Sequence, residues 1–265
     1  MGKVWYVVGV MVCAAGVAWG ALGDVVGSFP APANYPLAAA RPNNDAYLWL
    51  YCNTSPYYIY QVHALTGVIA ASYPSPYTSA TRGLAYSYGG LPSGSYLWIG
   101  KYTSPYEYSM TNYANGSIYA SFAPGHSLYG LAPQATADGG YNPLSIITAY
   151  TSPNYVWLHH PTTGSIMSSF PKSQLAYDIG WDWRNNVVWG GYGSPGIMYA
   201  WNTSGSLMTS FAAPAPYPYA VVYHAQYLWV GCTTPGHHIY RIHCPLIPNL
   251  NIAPASVGRV KAMFK

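Results

Sequence analysis

Short runs in which apolar and polar residues alternate recur along the chain, separated by turns of Gly, Pro, Ser and Thr. Tyr47-Leu48-Trp49-Leu50, Tyr96-Leu97-Trp98-Ile99 and Tyr227-Leu228-Trp229-Val230 are one motif, and Val187-Val188-Trp189-Gly190 is a looser copy. A Ser-Pro or Thr-Pro step follows in each unit. Its prolines, Pro56, Pro105, Pro153, Pro195 and Pro235, stand 49, 48, 42 and 40 residues apart. Next comes an aromatic, β-prone run, as at 58–62 and 238–242, then a turn ending in Gly67, Gly116, Gly164 or Gly205. A last alternating run closes the unit, at 68–73, 117–122, 165–170 and 206–211. An Ala- and Gly-rich run such as Gly83-Leu84-Ala85-Tyr86 precedes the Trp motif, so each unit holds four strand-sized pieces of period two. Four strands repeated every 40 to 50 residues predict the blade of a β-propeller. No stretch carries a useful helical period.

The fifth unit stops at Cys244-Pro245 without a fourth strand, while Asp24-Val25-Val26-Gly27-Ser28-Phe29 matches the fourth-strand pattern. The amino end is therefore expected to complete the last blade, which favours a closed ring of five over an open stack. The expected fold is an all-β, five-bladed propeller over 21–244, with 245–265 as linker and tail strand. The repeats, running Tyr-Leu-Trp, Ile-Tyr, Thr-Gly, Ser-Phe and a Pro-rich loop, resemble those of secreted bacterial propeller proteins. That resemblance implies a fold and leaves function open, since propellers host enzymes, lectins and scaffolds alike. The third unit departs from it, with Leu144-Ser145-Ile146-Ile147 in the place of the Trp motif.

Composition changes the picture in one respect. Only 6% of residues are charged, against about 25% in an average globular protein, whereas Tyr alone contributes 29. Of the formal +4, Lys3 lies in an apolar amino-terminal segment, and Arg259, Lys261 and Lys265 lie in the last seven residues. The body is neutral, which argues against nucleic acid as a partner. Lys3, the apolar run 4–17 and Ala18-Trp19-Gly20 read as a signal peptide over 1–20, shorter than the ~20 apolar residues of a membrane span. The expected location is extracellular or cell-surface, with no span in the mature chain. Cys52, Cys232 and Cys244 remain, so at most one internal disulfide is expected, of open pairing.

Loops from strand four to the next strand one, and from strand two to strand three, leave a propeller on the same face. Here both sets are rich in Tyr, Pro, Ser and Thr, a surface suited to stacking on sugar rings or to packing on another protein. Aligning the first strands places Leu37, Gly83, Gly130, Asp178 and Ala220 at equivalent positions near the channel mouth, preceded by Pro36, Arg82, Tyr129, Tyr177 and Tyr219. Arg82, Tyr129, Tyr177, Asp178 and Tyr219 form the candidate ligand pocket; the plainer reading is an Arg82–Asp178 pair that plugs the channel. No cofactor or metal is expected. His63, His160 and His243 share one place in three blades, with Asn112 and Trp201 in the others, too far from the axis to meet on one ion and better suited to capping turns. Six acids offer few bases, and Asp178 and Asp182 lie four residues apart on one strand, about 13 Å at the usual rise, too far for a paired-carboxylate glycosidase. Asn53, Asn115 and Asn202 head Asn-X-Ser triplets and are candidate glycosylation sites.

In the tail, Val260, Ala262 and Phe264 alternate with Arg259, Lys261 and Met263 as in a strand with one apolar face. Such a strand docks on its own propeller or on a neighbour, or the tail is a sorting signal; these stay open. The expected function is a non-enzymatic secreted structural or surface-assembly protein, self-associating into filaments by strand donation. The alternatives are a carbohydrate- or protein-binding propeller using the Tyr/Pro face and, third, an enzyme at the channel mouth.

Overall fold

The computed structural model describes residues 21–40, 46–78, 81–87, 96–124, 129–135, 141–149, 154–160, 163–182 and 185–245. The segment 1–20, the Ser152-Pro153 step and the tail with Val260, Ala262 and Phe264 lie outside the described residues. Strand β1 (Val25–Pro30) leads into β2 (Pro36–Ala40), β3 (Tyr47–Cys52), β4 (Tyr58–His63) and β5 (Ile69–Pro74), and β2 to β5 pair in that order as the first antiparallel sheet. The second sheet is β6 (Thr81–Ser87), β7 (Tyr96–Lys101), β8 (Glu107–Asn112) and β9 (Ile118–Phe122). The third is β10 (Gly130–Ala135), β11 (Tyr141–Ala149), β12 (Tyr155–His159) and β13 (Ile166–Pro171). The fourth is β14 (Asp178–Asp182), β15 (Val187–Tyr192), β16 (Ile197–Asn202) and β17 (Leu207–Ala212). The last sheet consists of β18 (Pro218–His224), β19 (Tyr227–Cys232), β20 (His238–His243) and, on its outer side, β1, with Phe29 opposite Ile239 and Pro30 opposite His238. No helix occurs among the described residues.

The first strand of each sheet packs against the first strand of the next: β18 on β2, β2 on β6, β6 on β10, β10 on β14 and β14 on β18. This is a β-propeller arrangement, and burial follows from it. β2 and β14 are buried at every residue, whereas β1, β5, β9, β13 and β17 are largely exposed. Every inner strand carries Ala or Gly where the backbones converge: a Cβ on Gly130 would come within 2.7 Å of the Asp178 Cα. Between the inner and outer strands the Trp motif fills the space between sheets. Trp49, Trp98, Trp189 and Trp229 are each at most 2% exposed, and the Trp229 indole N–H donates to the Ala64 carbonyl of the first sheet at 3.1 Å.

The Ser-Phe and Thr-Gly signatures are the two halves of one contact. Phe29 from the last sheet lies against the Gly67 turn of the first, and Phe122 of the second sheet against the Gly164 turn of the third. A β-carbon on either glycine would lie 2.3–2.4 Å from the ring.

Three expectations are corrected by register. The outer strands begin at Ile69, Ile118, Ile166 and Leu207, one residue later than expected, because the preceding residue still serves the turn: Val68 accepts from the His63 amide and Ser117 from the Asn112 amide. The same bonds make Asn202, not Trp201, the equivalent of His63, Asn112 and His160, since the Asn202 amide donates to Ser206. Finally, Ala38, not Leu37, stands opposite Tyr51 as Ala220 stands opposite Gly231, because a bulge follows Pro36 as one follows Pro218. In the third sheet Ile147 occupies the tryptophan register, opposite Ala132 as Trp98 is opposite Ala85.

Candidate ligand-binding mouth

With the register corrected, Leu37, Arg82, Tyr129, Tyr177 and Tyr219 are the residues that precede the innermost positions of the five sheets. The structure brings the last four together. The Arg82 guanidinium carbon lies 5.0 Å from the Tyr129 ring centre, 5.9 Å from that of Tyr177 and 5.1 Å from that of Tyr219. A fourth ring, Tyr102, approaches to 4.8 Å. Tyr102 follows β7 as Asn53 follows β3 and Thr233 follows β19, so both expected loop sets do meet at this mouth. Sequence reading missed Tyr102, although its signal was present: it is the residue just ahead of the Thr-Ser-Pro step, where a strand-two loop turns over the axis.

The rings also bind one another. The Tyr102 and Tyr129 hydroxyls share a hydrogen bond of 2.7 Å, and this bond is the main reason the Tyr102 phenol is held above its ordinary pKa. Tyr177 packs on Tyr219 with centroids 4.2 Å apart and on Tyr192 at 4.6 Å. Burial, followed by these neighbouring phenols, raises the Tyr177 pKa. Tyr217 lies nearly parallel to Tyr219, at 9° and 6.1 Å.

Asp178 is one layer deeper and fully buried. Its Oδ2 accepts from the Val221 amide at 2.9 Å and its Oδ1 from the Leu131 amide at 3.4 Å, so one carboxyl ties β14 to β18 and β10. Burial pushes its pKa well above the usual carboxylate range, and the backbone amides only partly offset that. No Arg82–Asp178 ion pair forms among the described residues, so the expected channel plug is not an ion pair. The guanidinium is surrounded by rings instead, and its Nε and Nη1 are out of contact with solvent and have no hydrogen-bond partner.

Beside Arg82 opens a cavity of about 330 Å³ over the seam between the last sheet and the first. Tyr35, Leu37 and Asn53 line it from the first sheet, and Tyr217, Tyr219 and Thr233 from the last. Tyr35 and Tyr217 are equivalent residues, each ahead of a proline that starts an inner strand, and both take a left-handed backbone conformation, φ 53° and 55°. A non-glycine residue there costs on the order of 1–3 kcal/mol, yet both side chains stay exposed, at 51% and 36%. Hydrogen bonds hold the turns: Asn53 donates its amide to the Tyr35 carbonyl at 3.0 Å, and Tyr217 donates to Gly193 at 2.9 Å. Four of the Ser/Thr-Pro steps around this face, at Pro56, Pro105, Pro195 and Pro235, are cis.

Of the other candidates only Asn53 reaches this mouth. Asn53 is half-buried on the cavity wall. Asn115 is exposed in the β8–β9 turn, and Asn202 spends its side-chain oxygen on the Ser204 and Ser206 amides. Asp182 bonds Asn185 at the far end of β14. Cys52, Cys232 and Cys244 are all free and buried, and burial pushes the Cys52 and Cys232 thiols up to about 12. His63 bonds Thr66 within its turn. Among the described residues no three His, Cys, Asp or Glu side chains gather as metal ligands do.

No family model matches the chain, and no curated protein matches it in sequence. Solved structures match in fold. The glutaminyl cyclase of Myxococcus xanthus superposes with a TM-score of 0.63 at 8% identity, over 83% of this chain and 95% of that one. The WD40 repeats of RRP9 superpose with a TM-score of 0.52 at 8% identity, over 84% and 99%. At such identities the likeness concerns the backbone alone: the chain has the β-propeller fold.

Proposed function

We propose that the protein is a secreted, non-enzymatic binding propeller of five blades, closed into a ring by β1, that takes a saccharide at its tyrosine-lined mouth. The observation that carries this reading is the pair Tyr35 and Tyr217. Two equivalent tyrosines are held at a backbone cost and left exposed on the rim of a cavity, where packing gains little from them. Strain of this kind persists when the surroundings over-determine it, and it clusters at ligand sites. Rigid rings presented in this way suit the apolar faces of sugars, and the hydroxyl and amide groups of Asn53, Thr233 and Thr234 suit their hydroxyls. The low charge of the body fits a neutral-surfaced binder. The buried, backbone-bonded Asp178 and the scarcity of other acids at the mouth weigh against hydrolytic chemistry. Screening the wild-type protein against an array of immobilised oligosaccharides tests the reading: saturable signal on a defined subset is expected, and a blank array would sink it.

One observation favours a second reading, a structural subunit. The outer strands carry no charged side chain and begin with exposed apolar residues: Val25, Ile69, Ile118, Ile166 and Leu207 are 43–54% exposed. Uncharged open edges invite pairing between chains. Electron microscopy of the purified protein, whole and cut after Cys244, separates the two. Filaments that vanish with the tail would favour assembly, and dispersed particles in both samples would remove it.

A further inference from the structure

Among the described residues the charge at the mouth has no ion-pair partner. A guanidinium remains protonated at any physiological pH and presents five donors that seek oxygen acceptors. Around Arg82 the structure supplies four tyrosine rings instead, at 4.8–5.9 Å, and leaves Nε and Nη1 unbonded. Cation–π contact favours the charge at such a site, but it does not replace the hydrogen bonds that the buried Nε and Nη1 lose.

The described acids lie elsewhere. Asp24 accepts from the Ala21 amide, Glu107 stands opposite Lys101 across β7 and β8, Asp178 holds the inner strands and Asp182 holds Asn185. The neighbouring groups on the cavity wall are neutral. Among the described residues the mouth therefore presents one uncompensated positive charge in an aromatic, weakly polar setting, where an anion gains more than it would in water.

Resting on the reading of the mouth as a saccharide site, we propose that Arg82 is the anchor for a carboxylate on that saccharide, so that the ligand is an acidic glycan bearing uronate residues. The sugar ring stacks on Tyr217 or Tyr219 while its carboxylate meets the guanidinium from the cavity side. The tyrosine cage then has a definite task. It fixes the long arginine side chain before the ligand arrives, and little rotamer freedom is lost on binding. A single carboxylate meets the part of the guanidinium that lines the cavity, and the neutral surroundings supply no second cation for the greater charge of a phosphate group.

Isothermal titration of the purified protein with tetragalacturonate and with its fully methyl-esterified form tests this, because the two share one sugar backbone and each carboxyl is an anion in the first and a neutral methyl ester in the second. The acidic tetramer is expected to bind at least 10-fold more tightly and to weaken as salt rises. In Arg82→Gln, checked for an unchanged melting transition, the two tetramers are expected to bind alike. Equal binding of both tetramers by the wild-type protein would overturn the role of Arg82 and leave the saccharide site standing. Binding of neither, with an array hit on neutral sugars alone, would overturn it as well. Acetate that competes at the concentration of the tetramer would show a site for free carboxylates and overturn the glycan assignment. The comparison within the wild-type protein stands even if Arg82→Gln does not fold.

Discussion

At the scale of single residues, Asp178 and Arg82 were drawn together by sequence reasoning, and the structure gives them different work. Asp178 is an internal tie: its two oxygens accept from Val221 and Leu131 on neighbouring sheets. Removing it in Asp178→Ala leaves those amides without an acceptor, each worth about 1–3 kcal/mol when buried, and urea unfolding should show a loss of several kcal/mol. The sign of its pH dependence follows from burial. The folded pKa lies above the ordinary ~3.9, so the folded state holds the proton more tightly than the unfolded chain. Its contribution is therefore complete below pH ~4 and declines as pH climbs through the folded pKa. Unfolding midpoints followed upward from pH 4 should fall in the wild type, and that slope should be missing from Asp178→Asn. Arg82 was legible as a mouth residue because it precedes the inner position of its sheet. Its ring of partners was only partly legible. Tyr129, Tyr177 and Tyr219 share its strand position, but Tyr102 follows β7, the second strand of the sheet that holds Arg82, and period-two reasoning does not show which way the loop after that strand turns.

Repetition decided what could be read at the scale of elements. The Trp motif, the turn glycines and the outer-strand phenylalanines recur, so their strands were visible in the sequence. Boundaries moved by one residue wherever a turn bond or a bulge claimed the first residue, as at Val68 and Leu37, because a bulge adds a residue without altering the alternation on either side. The unit with Ile147 in place of tryptophan still forms its sheet, since pairing of β11 with β10 and β12 needs backbone more than any one side chain. The contact between a phenylalanine and the next turn can be tested with a matched pair. Gly164 (φ 69°) lies under Phe122, whereas Gly116 (φ 72°) has open space where a β-carbon would go. Both Gly→Ala changes incur the left-handed penalty of roughly 1–2 kcal/mol, and Gly164→Ala alone must also displace a ring, adding about 1–3 kcal/mol. Thermal melts that rank Gly164→Ala well below Gly116→Ala support this latch between sheets; equal melts would dismiss it.

For the whole molecule, the pairing of β1 with β20 was readable because the amino-terminal strand repeats the outer-strand pattern the fifth unit lacks. The mouth was readable as a face but not as a cavity. Its depth depends on how the last and first sheets meet, and on Tyr35 and Tyr217 turning their rings outward through a backbone conformation that composition does not reveal. The proposal that this face binds sugar stands on those two residues more than on any others. The most direct measurement compares oligosaccharide-array signals for the wild type, the Tyr35→Ala/Tyr217→Ala double variant, and a control, Tyr119→Ala, altered on an outer strand where the ring is equally exposed. A glycan subset bound by the wild type and the control, with signal at least 10-fold lower in the double variant, is the predicted result. Equal signal in all three proteins would contradict it and place the binding surface away from the mouth.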